Sequence, residues 1–255
     1  MLDASKMKLN NNIMMRGLSE FSATAILMIF SCIGCTANQQ DYNHGILIAS
    51  LIQGMAVVMI MHIFGFISGA HANPCVSIAC CLLGHIGSHM MMFYVASQLA
   101  GAAFGYFLLH QMVPQVTIMS SKLGNCIVEP MEGLSYVQIL SIEGFLAAVM
   151  TFAWCALWDV RSGRFLDSVT LRIGCLITAC HLVGAQLTGA TMNPAKLLIP
   201  TLYNGNPETV LMQLSGQLVA CIIVPQIWHF VFSQRYRPLR VENSERPSPD
   251  LYLTP

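Results

Sequence analysis

Charge is what this chain has least of. Only 9% of its 255 residues are Asp, Glu, Lys or Arg, against about 25% in an ordinary soluble domain. Long stretches between residues 17 and 233 carry almost none. That scarcity excludes a solvated globular surface. Twelve basic residues balance twelve acidic ones, so nothing in the net charge argues for nucleic acid as a partner. Catalytic equipment is missing as well. There is no Gly-rich phosphate loop, nucleophile elbow or metal-ligand cluster, and the few charges are too scattered for acid–base chemistry. Neither an enzyme nor a bound cofactor or metal is expected.

Apolar residues are abundant, at 55% of the chain. A helix needs about 20 of them to cross a bilayer, and the sequence predicts six spans, at about 17–37, 45–66, 88–110, 134–157, 169–187 and 209–233. Residues 1–16 read as an N-terminal segment and 234–255 as a disordered tail rich in Ser, Pro and charge. Lys6, Lys8, Arg16, Arg161, Arg164, Arg172, Arg235, Arg237, Arg240 and Arg246 share one side if both termini are cytoplasmic, which is the orientation the basic residues favour. The plasma membrane is the first choice of membrane and an intracellular one the second. Cys32-x-x-Cys35 has the spacing of a metal or redox pair. It lies in an apolar helix with no second pair, so the cysteines read as compact apolar packing residues.

One element occurs twice. Ser68-Gly69-Ala70-His71-Ala72-Asn73-Pro74-Cys75 returns as Thr188-Gly189-Ala190-Thr191-Met192-Asn193-Pro194-Ala195, with hydroxyl, Gly, Ala, Asn and Pro in register at an offset of 120. Gly54 pairs with Gly174 at the same offset, Gln98 with Gln217 one residue out, and Glu20 with Glu143. The halves run about 17–110 and 134–233. Three spans per half start the second half on the opposite side of the membrane, so the repeats are inverted and place a site near the midplane. The apolar runs after Asn73 and Asn193 are too short to cross, which predicts two re-entrant half-helices. Pro74 and Pro194 suit the first helical turn. Asn73 and Asn193 suit the N-cap, each side-chain amide remaining free to donate into a lumen. Each half-helix N-terminus carries roughly half a positive charge, which repels cations and orients a dipolar solute such as water.

These motifs resemble the aquaporin (major intrinsic protein) family over about residues 17–233, and Glu20-Phe21-x-x-Thr24 is similar to its first-span motif. The resemblance implies an all-α membrane fold of six tilted helices and two half-helices, a homotetramer with one pore per subunit, and passage of water or small neutral solutes through a lipid bilayer. It also implies that Glu20 and Glu143, acids costly to bury in spans, accept hydrogen bonds from the re-entrant loops. His71 would then stand at the cytoplasmic vestibule. The outer constriction would be Gln53, His181, Ala190 and Lys196.

That constriction is unusual. Gln53 stands where water-selective relatives hold an aromatic ring, and Lys196 where they hold arginine. Lysine offers a mobile three-donor ammonium in place of a rigid five-donor fork. Leu197 stands where glycerol channels carry Asp, whereas Gln213 and Leu214 give half of their sixth-span pattern. Water is the expected solute. The alternatives are a channel mainly for urea, ammonia or glycerol-like solutes, or a poorly conducting protein with a structural or adhesive role.

Overall fold

The computed structural model describes residues 4–36, 42–114, 126, 128–159, 161–162, 168–204 and 206–232. Among the described residues eight helices follow in order: α1 (Ala4–Thr36), α2 (Tyr42–Ser68), α3 (Pro74–Leu82), α4 (Ser88–Met112), α5 (Tyr136–Trp158), α6 (Val169–Gly184), α7 (Pro194–Asn204) and α8 (Pro207–Ile227). The last runs into a π-helical stretch, Trp228–Phe232. The tail expected at 234–255 lies outside the described residues.

Two of the long helices start on side-chain caps. The Ser135 and Gln138 side chains form a reciprocal capping box at α5, and Asn206 caps α8 ahead of Pro207. Four expected spans are recovered within a few residues, and α1 extends the first one back to Ala4. The span expected at 169–187 is the exception. Its helix has 16 residues, about 24 Å long against a hydrocarbon core of about 30 Å. Beyond that helix the N–H groups of Leu187 and Thr188 both donate to the Gly184 carbonyl in a turn that leads into the second re-entrant segment. Among the described residues, five helices are long and apolar enough to cross a membrane.

The two halves pack alike. α1 lies on α4 and α2; α5 lies on α8 and α6; α2 meets α6 between the halves. That crossing depends on two small residues. A Cβ on Gly54 would stand 2.5 Å from the Gly174 carbonyl oxygen, and one on Gly174 would stand 2.8 Å from that of Gly54, so the backbones approach as only glycine permits. Each half-helix packs on the final helix of the other half, α3 on α8 and α7 on α4. Outward-facing side chains are apolar, with Phe66, Leu202, Phe230 and Val137 each more than 70% exposed. Such a surface suits lipid, not water.

Two covalent and polar braces hold the loop ends. Cys32, near the end of α1, is disulfide-bonded to Cys126 in the α4–α5 connection. This corrects the reading of Cys32 as a plain packing residue; its partner sits 94 residues away, beyond the reach of local spacing. The side chain of Cys35 lies outside the described residues. At the far end of α5, Arg161 Nε donates to Asp159 Oδ1 at 2.7 Å and Arg161 Nη2 to the Phe232 carbonyl at 2.8 Å. The Arg161 hydrogen bond holds the Asp159 carboxyl down to about 2.

Candidate functional site

The two half-helices meet at their N-termini, and their caps are crossed. Asn73 Oδ1 accepts from Cys75 N at 2.9 Å, and Asn193 Oδ1 from Ala195 N at 3.0 Å. Each amide nitrogen then reaches over to the opposite loop. Asn73 Nδ2 donates to the Met192 carbonyl at 2.9 Å, and Asn193 Nδ2 donates to the Ala72 carbonyl at 2.8 Å. The amides are therefore not wholly free, as the sequence suggested. One N–H of each is spent on tying the half-helices together, because the left-handed turns before the caps aim the Ala72 and Met192 carbonyls across the joint. Ala70, Ala72, Ala190 and Met192 all have φ between 44° and 50°, a conformation costing about 1 kcal/mol or more outside glycine.

Two buried carboxylates hold those turns. Glu20 accepts from Ser68 Oγ at 2.6 Å, His71 N at 2.9 Å, Ala72 N at 2.8 Å and Gln98 Nε2 at 2.7 Å. Glu143 accepts from Thr188 Oγ1 at 2.7 Å, from Thr191 N and Met192 N at 3.2 Å each, and from Gln217 Nε2 at 2.8 Å. Both acids are 0% exposed. The hydroxyl, the two backbone N–H groups and the amide that serve one acid each have a counterpart at the other, down to Gln98 and Gln217, whose pairing was visible in the sequence only as register; Thr191 Oγ1, which donates to Glu143 at 3.2 Å, is an addition of the second half. Gln213 adds a bond of its own, donating to the Thr188 carbonyl at 2.7 Å.

The four residues expected at the outer constriction are all buried. Lys196 Nζ donates to Gln53 Oε1 at 2.9 Å, so the two unusual residues are partners. Ala190 lies at the foot of α6, where a Cβ on Gly184 would come within 3.0 Å of its own Cβ. His181 Nδ1 is bonded to Ser50 Oγ at 2.8 Å. Ser50 was not singled out from the sequence. The available signal was a hydroxyl one turn before Gln53 in an otherwise apolar helix. The α4–α5 connection lies nearby: Met131 N donates to the Leu187 carbonyl at 2.8 Å, and Val128 covers Gly189.

A cavity is walled by Gln53, Asn73, Asn193, Met150, His71 and Trp154 together with aliphatic residues from α1, α2, α3 and α6. His181, Ala190 and Lys196 are not in its wall. His71 Nδ1 bonds Ser77 Oγ at 3.1 Å, and its ring meets Tyr94 and Trp154 edge-on. Among the described residues no group of three or more His, Cys, Asp or Glu is placed to hold a metal.

Helix order, mirrored halves and crossed caps define an integral, multi-pass membrane protein built from two inverted repeats around one central joint. The family described as major intrinsic protein matches residues 7–231, and the chain belongs to that family. Aquaporin-2 of Ovis aries is 31% identical over 215 residues, which is 84% of this chain and 77% of that protein. Aquaporin-4 of Homo sapiens is 28% identical over 219 residues, 84% of this chain and 66% of that one. The aquaglyceroporin from Plasmodium falciparum shares the fold with a TM-score of 0.72 at 20% identity, covering 86% of this chain and 97% of that one.

Proposed function

We propose that the protein is a passive, osmotically driven channel for water that also passes small neutral solutes. The observation that carries this reading is the pair of crossed amides, Asn73 and Asn193, in the wall of a single cavity. Each amide has a second N–H; Met150 Sδ, 3.4 Å from Asn73 Nδ2, is only a weak acceptor for it. A water passing the joint offers a better one. The two facing helix N-termini disfavour cations at the same point. Glu20 and Glu143 hold the loops, Pro74 and Pro194 start the half-helices, and His71 borders the vestibule. Similarity to proteins named aquaporins supports the reading.

Both termini face the cytoplasm in this proposal, which places the Cys32–Cys126 disulfide on the outer side, where oxidation is allowed. The plasma membrane is the compartment that fits best, and a homotetramer is the assembly the family resemblance implies.

Vesicles carrying the purified chain should shrink under an osmotic step several-fold faster than protein-free ones. Equal rates, with incorporation verified, would reject conduction and leave the structural role.

Gln53 and Ala190 favour a second solute class, because neither narrows the outer constriction with a ring. Restoring Phe at 53 together with Arg at 196 should lower urea uptake about tenfold more than water flux. The two changes belong together, since Gln53→Phe alone takes away the oxygen that Lys196 uses. An unchanged solute-to-water ratio in the double variant would count against a loosened outer constriction.

A further inference from the structure

The cavity wall itself carries rings. Among the described residues, His71 and Trp154 are the only ring-bearing side chains in its wall. They meet edge-on with centroids 5.9 Å apart. Trp158, one helical turn beyond Trp154 on α5, packs on both, 5.4 Å from Trp154 and 5.8 Å from His71. His85, just past α3, backs Trp158 at 5.7 Å. Four rings from three separate segments therefore gather at and behind one stretch of the wall.

The cluster is held firmly. The His71 backbone N–H donates to Glu20 at 2.9 Å, its ring is bonded to Ser77, and Tyr94 meets its edge at 5.3 Å. Trp154 is 4% exposed and belongs to the main apolar core with Met150, Ile173 and Ile177. Trp158 is half-buried outside that core's buried set. A bicyclic ring locked by packing has few ways to give as a solute passes. Aliphatic neighbours such as Val57, Ile60 and Val76 yield more easily and offer no comparable bulk.

We infer that His71, Trp154 and Trp158 form a second constriction, in series with Gln53, and that this one sets the size limit of the channel by excluding polyols of glycerol size. The inference rests on the channel reading above. It moves the sizing step from the Gln53–Lys196 pair to the tryptophans. An open, polar outer constriction can then coexist with a narrow solute range.

The test measures water, urea and glycerol permeability of proteoliposomes holding the full-length chain. The wild type should pass water, with glycerol uptake close to that of protein-free vesicles. Trp154→Leu keeps an apolar side chain in the core but removes the ring, and should raise the glycerol-to-water ratio about tenfold. Trp158→Ala alters the less buried ring and should raise the ratio in the same direction, which secures the answer should Trp154→Leu misfold. An unchanged ratio in folded variants overturns the inference, and so does a wild type that already passes glycerol as freely as they do. A silent wild type whose variants conduct would refute the water-channel reading yet uphold the constriction. Silence in all of them would refute both.

Discussion

Glu143→Ala is expected to lower the melting midpoint of the detergent-solubilised protein by roughly 10–20 °C, with loss of monodisperse yield. Alanine strands two backbone donors, Thr191 N and Met192 N, and three side-chain donors, Thr188 Oγ1, Thr191 Oγ1 and Gln217 Nε2, all in buried surroundings. The side chains have some recourse, since Gln217 Nε2 already donates to Thr191 Oγ1 at 2.6 Å. The backbone donors have none without unwinding the left-handed turn at Met192, where φ is 50°. At about 1–3 kcal/mol for each stranded donor, the loss is about 3–6 kcal/mol, a large share of a typical folding free energy of about 5–15 kcal/mol. Glu143→Gln retains an acceptor oxygen and should fall between wild type and alanine. Glu20→Ala should behave like Glu143→Ala, because the first half is wired the same way. A Glu143→Ala midpoint within a degree or two of wild type would show that the carboxylate does not hold the loop.

Removing the Cys32–Cys126 bond should have the next largest effect on stability. For a free coil, closing a loop of this separation, 94 residues, is worth about 4–5 kcal/mol. Here the helices between the two cysteines stay confined by the bilayer or micelle when packing is lost, so less entropy is released and about 2 kcal/mol is the better expectation. Cys32→Ser and Cys126→Ser should lower the midpoint by a similar amount, and the double variant by no more than either single one. Reductant should bring wild type down to the variants and leave them unchanged. A wild type indifferent to reductant while the serine variants melt early would assign their loss to packing instead. The bond also anchors the segment whose Val128 and Met131 lie against Gly189 and Leu187, so its loss should loosen the outer approach to Lys196.

Much of the site was legible because the repeat exposes it. Asn73, Pro74, Asn193 and Pro194 stand out as a duplicated element, and Glu20 and Glu143 stand out as acids in apolar spans. Gln98 and Gln217 appeared only as residues in register; their bonds to the two carboxylates need α4 and α8 rotated toward α1 and α5. The fifth span was drawn too long because Ala185 and Leu187 prolong its apolar run with only Gln186 between them, while the turn at Gly184 leaves no periodic trace. Ser50 went unnoticed since a lone serine in α2 gains meaning only when His181 of α6 lies opposite. Nothing in the sequence sets Trp154 and Trp158 apart within the apolar run of α5, and their gathering around His71 depends on where the re-entrant loop returns.

What the residue order determines by itself is where the chain can live and where it must break. Twenty-residue apolar runs seek lipid, Asn-Pro restarts a helix, and an odd number of spans per half inverts the second half. What only the tertiary structure decides is which side chains meet. Asn73 reaches the Met192 carbonyl across 119 residues and Lys196 reaches Gln53 across 143. Local periodicity says which face of a helix is apolar, but not how that helix is turned against a neighbour from the other half. That rotation is settled by close approaches such as Gly54 on Gly174 and by the demand that every buried donor find an acceptor.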